Sequence, residues 1–413
     1  MITSRRIKEQ TQEVIVGLQR RGIDNAEALI EKVIALDNTR KEYKNNLDEL
    51  LRQINIKTAI IEKKIKNNED ISLIKNDVLA IKNDAAVLKD KLEAIEEELV
   101  QFLYNIPNVP NVNIPDGTSS ADNRVVSQTD IPSIGHKVPH YEIVKQLDII
   151  DFELGTKLTG AGFPVYKNFG ARLQRALINF FLDEARAYGF VEYALPILCN
   201  DASFYGTGQM PDKEKQMYKV EDGFHLIPTA EVPLTNLYRN VILEEEDMPI
   251  KLTGYTPCFR REAGSWGKNV RGLNRLHQFD KIEIVEIVRP EDSYAVLEEM
   301  RAYVEGLVQK LELPYRVLCL CAGDLGFNSA FTYDIEVYSL GQDMWLEASS
   351  ISNFEDYQAN RLKLRYKTKD GAKKLAHTLN GSALALPRIM AALIEKNYDG
   401  VEVKIPKVLE RYF

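Results

Sequence analysis

Cysteine is scarce. The 413 residues hold four, Cys199, Cys258, Cys319 and Cys321, and no CxxC pair. That excludes a disulfide framework and the common zinc motifs. Cys319 and Cys321 alternate within an apolar run and read as strand residues on one face. No apolar stretch approaches the ~20 residues that a membrane span requires. The amino-terminal "MITSRRIKEQTQEVIVGLQ" is charged throughout and lacks the hydrophobic centre of a signal peptide. The chain is therefore expected in the cytoplasm, reduced and without a membrane partner. Missing too are a Walker A sequence and a GxGxxG, which excludes the two commonest glycine-rich phosphate loops. Cations are outnumbered, 53 Lys and Arg against 61 Asp and Glu for a net charge of −8. That argues against broad nonspecific nucleic-acid binding without excluding a local basic surface.

What is present divides along the chain. Its length exceeds one ordinary core and predicts two or more domains. From Ile74, the apolar positions Val78, Ile81, Ala85, Leu88, Leu92, Ile95, Leu99 and Phe102 follow in unbroken steps of four and three. That is a heptad seam. Upstream, Leu36, Tyr43, Leu47, Leu50, Ile54, Ile61 and Ile65 keep the same rhythm, and the polar "KNNEDIS" between the two seams reads as a turn. The expected structure is a long antiparallel coiled-coil hairpin with limbs of roughly 60 Å. It carries no catalytic cluster. Residues 41–66 hold seven Lys and Arg against four Asp and Glu. Such a balance suits an RNA backbone, and a solvated helix face would look the same.

The proline-rich "YNIPNVPNVNIPDGTSSADN" then marks a boundary. This predicts a helical domain over 1–108, a linker over 109–125 and a second domain over 126–413. The last mixes helices and strands. "GARLQRALINFFLDEARAYGF" is an amphipathic helix, and strands are expected near 216–227, 252–262, 275–288, 315–321, 332–338 and 344–351. Apolar/polar alternation, as in "YDIEVYS", and short connecting loops favour an antiparallel sheet flanked by helices, an α+β class.

Between two of those strands lies "CFRREAGSWGKNVRGLNRLHQFDK" (258–281). Arg260, Arg261, Lys268, Arg271, Arg275 and Lys281 face only Glu262 and Asp280 there. Strand alternation places Arg260 and Glu262 on one face. It also puts Phe279, Lys281 and Glu283 together, with Ile282 and Ile284 opposite. If the isoleucines are core, the open side offers a ring for a base, cations for phosphate and a carboxylate for an amine. Arginine's planar fork matches phosphate and carboxylate oxygens. Gly264, Gly267 and Gly272 would let the loop bend over a triphosphate. The residues alone also allow a surface hairpin laced with salt bridges.

This stretch resembles motif 2 of the class II aminoacyl-tRNA synthetases, in the form "FRxEAGS…RGLxRxHQFDKxE" of the seryl-tRNA synthetase family. "IPTAEVPLTNLY" (227–238) is similar to that family's TxE loop, "LEASSISNFEDYQANR" (346–361) to its ExSSxSNxxDxQxxR segment, and "HTLNGSALALPRIMAALIE" (377–395) to its motif 3. "GARLQRALINFFLDEARAYGFVEYALP" resembles motif 1, and the hairpin resembles the tRNA-binding arm. The resemblance covers essentially the whole chain. It implies the class II core fold, ATP and Mg²⁺, and two steps: serine and ATP give seryl-adenylate, and the seryl group then passes to the 3′ end of tRNA(Ser). tRNA(Sec) is a further candidate acceptor. A homodimer through motif 1 is implied too.

Residue by residue, the resemblance implies Arg260 bridging the serine carboxylate and the α-phosphate. Arg271 and Arg388 would hold the outer phosphates, Glu262 would lie near the adenine and Phe279 would stack on it. The ATP set also includes Arg261, Ala348 and Ser349, and Glu347 and Ser350 match the positions that hold Mg²⁺. The serine pocket would comprise Thr229, Ala230, Glu231, Glu283 and Ser382. Without the resemblance, Thr229 and Glu231 read as a loop turn with a surface acid. Arg388 is the lone charge of "ALALPRIMAALI", where an unpaired cation is costly, so it faces a ligand or a structural acid. Pro387 is expected in the first turn of the helix that follows. His277 reads as a structural hydrogen-bonding residue. The family usually has arginine at the position of Leu346, and isoleucine and cysteine at those of Ala348 and Ile351; these changes leave Glu347 and Ser350 in place. Two other classes compete: a relative that loads amino acids onto a carrier protein, which would lack the arm, and an inactive RNA-binding relic, which would have lost Arg260, Arg271, Glu347 or Arg388.

Overall fold

The computed structural model describes residues 1–133, 135–213, 215–262 and 271–413. Gly264 and Gly267, expected with Gly272 to let the loop bend over a triphosphate, lie outside the described residues, as does the cation Lys268. Contacts group Ile2–Gln19 with Ile23–Ile106 as one compact unit, and Met1, Arg20–Gly22 and Pro107–Phe413 as another.

In the first unit the heptads form helices α1 (Ala26–Lys66) and α2 (Ser72–Tyr104). The pairs Lys57–Asp77 at 3.0 Å, Lys32–Glu98 at 3.8 Å and Arg40–Glu96 at 3.9 Å show that they run antiparallel. Val78, Ala85 and Leu99 of the seam are buried. At the base, Ile7, Val14 and Leu18 of the two preceding helices are buried, as are Ile30 and Val33 of α1.

In the second unit, eight strands of the described residues form one sheet. They are β1 (Arg124–Gln128), β2 (Val191–Glu192), β3 (Ile250–Phe259), β4 (Gln278–Val288), β5 (Tyr315–Cys319), β6 (Phe331–Ser339), β7 (Met344–Asn353) and β8 (His377–Ala385), in the order β1-β5-β6-β7-β8-β4-β3-β2. Neighbours are antiparallel except β2, which runs parallel to β3. One face is covered by α3 (Asn168–Tyr188), α4 (Ser293–Lys310) and α5 (Leu386–Asn397). There Phe180, Phe181, Val304, Ile389 and Leu393 share a core with Ile282, Ile284 and Ile351. No helix among the described residues is long and apolar enough to cross a membrane.

Three local expectations change. The strand over 216–227 is instead a hairpin of Tyr218–Lys219 and Phe224–Leu226, because Gly223 at φ +79° turns the chain between them. β3 ends at Phe259, and Glu262 takes φ +47°, so strand alternation does not govern Arg260 and Glu262. The proline-rich stretch is tied down from its start: Asn108 is fully buried, and its side-chain amide donates to the carbonyls of Asn328 (3.0 Å) and Phe354 (2.8 Å).

Glu286 on β4 gives the second unit a pH signature. It is fully buried beside Lys251, whose Nζ lies 3.7 Å from its carboxylate. Burial pushes its carboxyl up to about 7 from an ordinary 4.5, against the pull of Lys251. The folded-state value lies above the unfolded one, so this group's contribution to stability is present below pH 4.5 and lost as pH rises through 7. At ~1.4 kcal/mol per pKa unit the loss is up to roughly 3 kcal/mol. Glu286→Gln is expected to unfold at higher denaturant than the parent at pH 8 and to lose that part of the pH slope. Equal midpoints at pH 8 would refute this.

Candidate active site

β4 lies between β8 and β3, and its alternation decides what meets the open sheet face. Ile282 and Ile284 enter the core, as expected. The opposite side is less open than the sequence suggests: Lys281 and Glu283 are 5% and 1% exposed. A bulge between them against Ala385 and Ser382 of β8 shifts the register. Lys281 Nζ stands 2.5 Å from Glu283 Oε2 and donates to Thr229 Oγ1 at 2.9 Å. Asn380 Nδ2 donates to Glu283 Oε1 at 3.2 Å.

What closes this side is the segment before and within the short helix Glu231–Asn236. Thr229 and Glu231 are 5% and 4% exposed, which corrects the reading of a surface turn with a surface acid. The physical reason is a partner far along the chain. Gln358 Nε2 donates to Glu231 Oε1 at 2.6 Å while Gln358 Oε1 accepts from Thr378 Oγ1 at 2.7 Å. Burial, helped by the nearby charge of Glu283, pushes the Glu231 carboxyl up to about 7. Ala230 is fully buried among Leu234, Leu252 and Val285 and offers only its backbone. Ser382 is buried, and its carbonyl accepts from Ser349 Oγ at 2.6 Å.

The other predicted residues gather at the end of β4. The Arg260 guanidinium lies 5.3 Å from the centre of the Phe279 ring, a cation–π distance. Glu262 pairs with Arg275 at 3.3 Å. Arg388 donates to the Glu347 carbonyl from Nη1 (2.7 Å) and to the Asn274 carbonyl from Nε (3.0 Å), and lies 3.6 Å from the Glu347 carboxylate. Pro387 is in the first turn of α5. Arg271 stands apart, its guanidinium 5.0 Å from the Tyr141 ring. The Arg261 side chain is exposed, and its backbone N–H donates to the Gln216 carbonyl at 2.8 Å. His277 stacks on Phe163, 5.3 Å between centroids, and meets Tyr218 Oη at 2.8 Å from Nδ1.

Two clefts result. One is walled by Phe279, Ala348, Ser349 and Arg388. The other, ≈ 680 Å³, is walled by Thr229, Glu231, Glu283 and Ser350. Arg260, Glu262, Lys281, Glu347 and Ser382 line both, so the clefts share a wall of charge. A cleft with one aromatic wall at Phe279 beside a polar pocket, joined at a guanidinium, can hold a base, its phosphates and a small zwitterion together.

The sequence did not single out Asp334. It faces Ser350 across the β6–β7 ladder, bonds that hydroxyl and lines the larger cleft. Burial and the charge of Glu347 hold its carboxyl well above the usual range, and Oδ1 is buried without a hydrogen-bond partner. Its only sequence signal was a place as one of two acids, with Glu336, in the alternation of "YDIEVYS". Together with Glu347 and Ser350 it supplies hard oxygen donors that fit Mg²⁺. Among the described residues no three His, Cys, Asp or Glu side chains are grouped to hold a metal by themselves.

Comparison with known proteins agrees along the whole chain. The family model of the seryl-tRNA synthetase N-terminal domain matches residues 1–110, and that of the tRNA synthetase class II core domain (G, H, P, S and T) matches residues 216–397. The serine–tRNA ligase of Akkermansia muciniphila is 45% identical over 418 residues, covering 100% of this chain and 98% of the relative. That of Nautilia profundicola is 46% identical and covered end to end, 100% of both. Among solved structures, seryl-tRNA synthetase from Pyrococcus horikoshii complexed with ATP aligns with a TM-score of 0.90 at 31% identity, over 100% of this chain and 98% of that one. With the helical hairpin, the antiparallel core and the paired clefts, this chain belongs to the seryl-tRNA synthetase family of class II aminoacyl-tRNA synthetases.

Proposed function

We propose that the chain activates L-serine with ATP to seryl-adenylate and transfers the seryl group to the 3′ end of tRNA(Ser). The observation that carries this is the pair of clefts joined at Arg260. The slot beside Phe279 accepts adenine, and the pocket of Thr229, Glu231, Glu283 and Ser382 accepts serine. At the junction Arg260 brings the serine carboxylate and the α-phosphate together. That carboxylate is ionised at neutral pH and attacks the phosphorus in line, so no general base is required. Catalysis is then positioning and charge neutralisation. Arg388 and Arg271 hold the outer phosphates. Glu347, Ser350 and Asp334 would hold Mg²⁺, which when bound neutralises phosphate charge. In the serine pocket, Glu231 and Glu283 receive the ammonium and hydroxyl groups.

ATP–pyrophosphate exchange across the twenty amino acids tests the activity; exchange with an amino acid other than serine in preference to it would overturn the assignment. Charging assays with tRNA(Ser) and tRNA(Sec) decide whether the second acceptor is used. The 1–108 domain is proposed as the tRNA-binding arm, the 109–125 segment as its junction and 126–413 as the catalytic domain, working in the cytoplasm.

A homodimer is part of the same proposal. α3 supports it less than its sequence did, because Leu173, Leu177, Phe180 and Phe181 are all used in the chain's own core. Family resemblance and the exposed Val125 and Val126 on edge strand β1 support it instead. Light scattering at micromolar concentration is expected to give the mass of two chains; a monomeric mass with full activity would refute it.

A further inference from the structure

Behind Arg388 lies a buried polar cluster that the reaction so far leaves unused. His140 opens the short helix His140–Gln146, Glu395 sits on α5, and neither is exposed to solvent. Glu395 Oε1 accepts from the His140 backbone N–H at 2.9 Å and meets His140 Nδ1 at 3.0 Å. Its Oε2 accepts from Ser339 Oγ at 2.5 Å and from the Gly341 N–H at 3.0 Å. Burial alone would raise this carboxyl, but these donors hold it below its ordinary range. An ionised carboxylate accepts only, so His140 carries its proton on Nδ1 and leaves Nε2 as an acceptor. Nε2 receives the Leu273 N–H at 2.9 Å.

That bond grips the chain between two arginines. Gly272, at φ +66°, approaches so closely that a Cβ there would stand 2.2 Å from His140 Nε2. On one side of this grip Arg271 rests on Tyr141, the next residue of the same helix. On the other, the Asn274 carbonyl receives Arg388 Nε. His140 itself lines neither cleft. We propose that His140, oriented by Glu395, is a positioning residue for ATP: it fixes the backbone of 271–274 and thereby sets both Arg271 and Arg388 toward the outer phosphates. This rests on reading those two arginines as phosphate-binding.

The test is ATP–pyrophosphate exchange with His140→Leu and His140→Gln beside Arg271→Ala and Arg388→Ala, with thermal midpoints read in parallel. His140→Leu is expected to raise KM for ATP about tenfold or more and to leave KM for serine within about twofold, since a misplaced contact acts only on the group it places. His140→Gln keeps an acceptor for the Leu273 N–H and is expected to recover most of the loss. Equal rises in both KM values, or a Gln variant as impaired as Leu, would assign His140 to general stability and overturn the proposal. If the arginine variants raise KM for ATP and His140→Leu does not, this proposal alone falls. If the arginine variants leave it unchanged, the phosphate reading fails first and takes this one with it. Should His140→Leu not fold, Gly272→Ala presses on the same Nε2 and is expected to raise KM for ATP selectively; an unchanged KM overturns the proposal.

Discussion

A chain beginning near Pro107 is expected to keep serine-dependent ATP–pyrophosphate exchange close to the full-length rate while charging tRNA(Ser) slower by about 10²-fold or more. Every residue assigned here to ATP or serine lies in the unit that contains Pro107–Phe413. On the proposed role as a tRNA-binding arm, its contribution would be electrostatic. Its cations include Arg52, Lys57 and Lys64, now held by Glu49, Asp77 and Glu69 in exposed pairs of 2.8, 3.0 and 2.6 Å. Exposed pairs of this kind add little to stability, so phosphates can replace their acids at small cost. Several such exchanges summed along an RNA backbone account for a large, salt-dependent affinity. Full-length charging should therefore fall steeply with added salt, while the shortened chain's residual charging should not. Comparable charging by the two proteins at low salt would remove the arm from tRNA recognition.

Glu283→Gln is expected to lower kcat/KM for serine in exchange by about 10²-fold or more and to change KM for ATP by less than about threefold. The carboxylate is buried, held by Lys281 and Asn380 and aimed at the cleft that Thr229 and Glu231 also line. Neutralising it removes the charge that would meet a substrate ammonium and leaves Lys281 buried without its anionic partner. Breaking a buried pair from one side costs ~3–5 kcal/mol, so a thermal melt must accompany the kinetics. A fall in midpoint alone, with serine activation intact, would return Glu283 to a structural role. Wild-type selectivity follows from the same polar pocket. A site built to bond a hydroxyl rejects the deoxy analogue by factors of ~10⁴ or more, so alanine should be excluded strongly, while threonine keeps the hydroxyl and is excluded by shape, a weaker filter.

The sequence carried most of this, and its omissions have a common cause. Heptad steps set the α1–α2 hairpin because both seams are local and periodic. Strand alternation put Ile282 and Ile284 in the core for the same reason. The burial of Thr229 and Glu231 was not legible, since it depends on Gln358 and Thr378, more than a hundred residues away. Nor was the bulge between Lys281 and Glu283, which arises from pairing with β8 and turns an expected open face into an ion pair. Glu262 escaped for a different reason: a glutamate at φ +47° contradicts its own backbone preference, and such conformations persist only where surroundings impose them. Asp334 looked like one more polar member of an alternating strand until Ser350 stood opposite.

Arg260 lines both clefts, and that shared position has a thermodynamic consequence. A single cation cannot be fully engaged by one anion without changing what it offers the other. If Arg260 meets both ligands as proposed, serine and ATP are linked through one side chain, and linkage is reciprocal: whatever factor ATP imposes on the affinity for serine, serine imposes on the affinity for ATP. The sign of that factor measures whether the guanidinium acts as a bridge between two ligands or as a prize they contest.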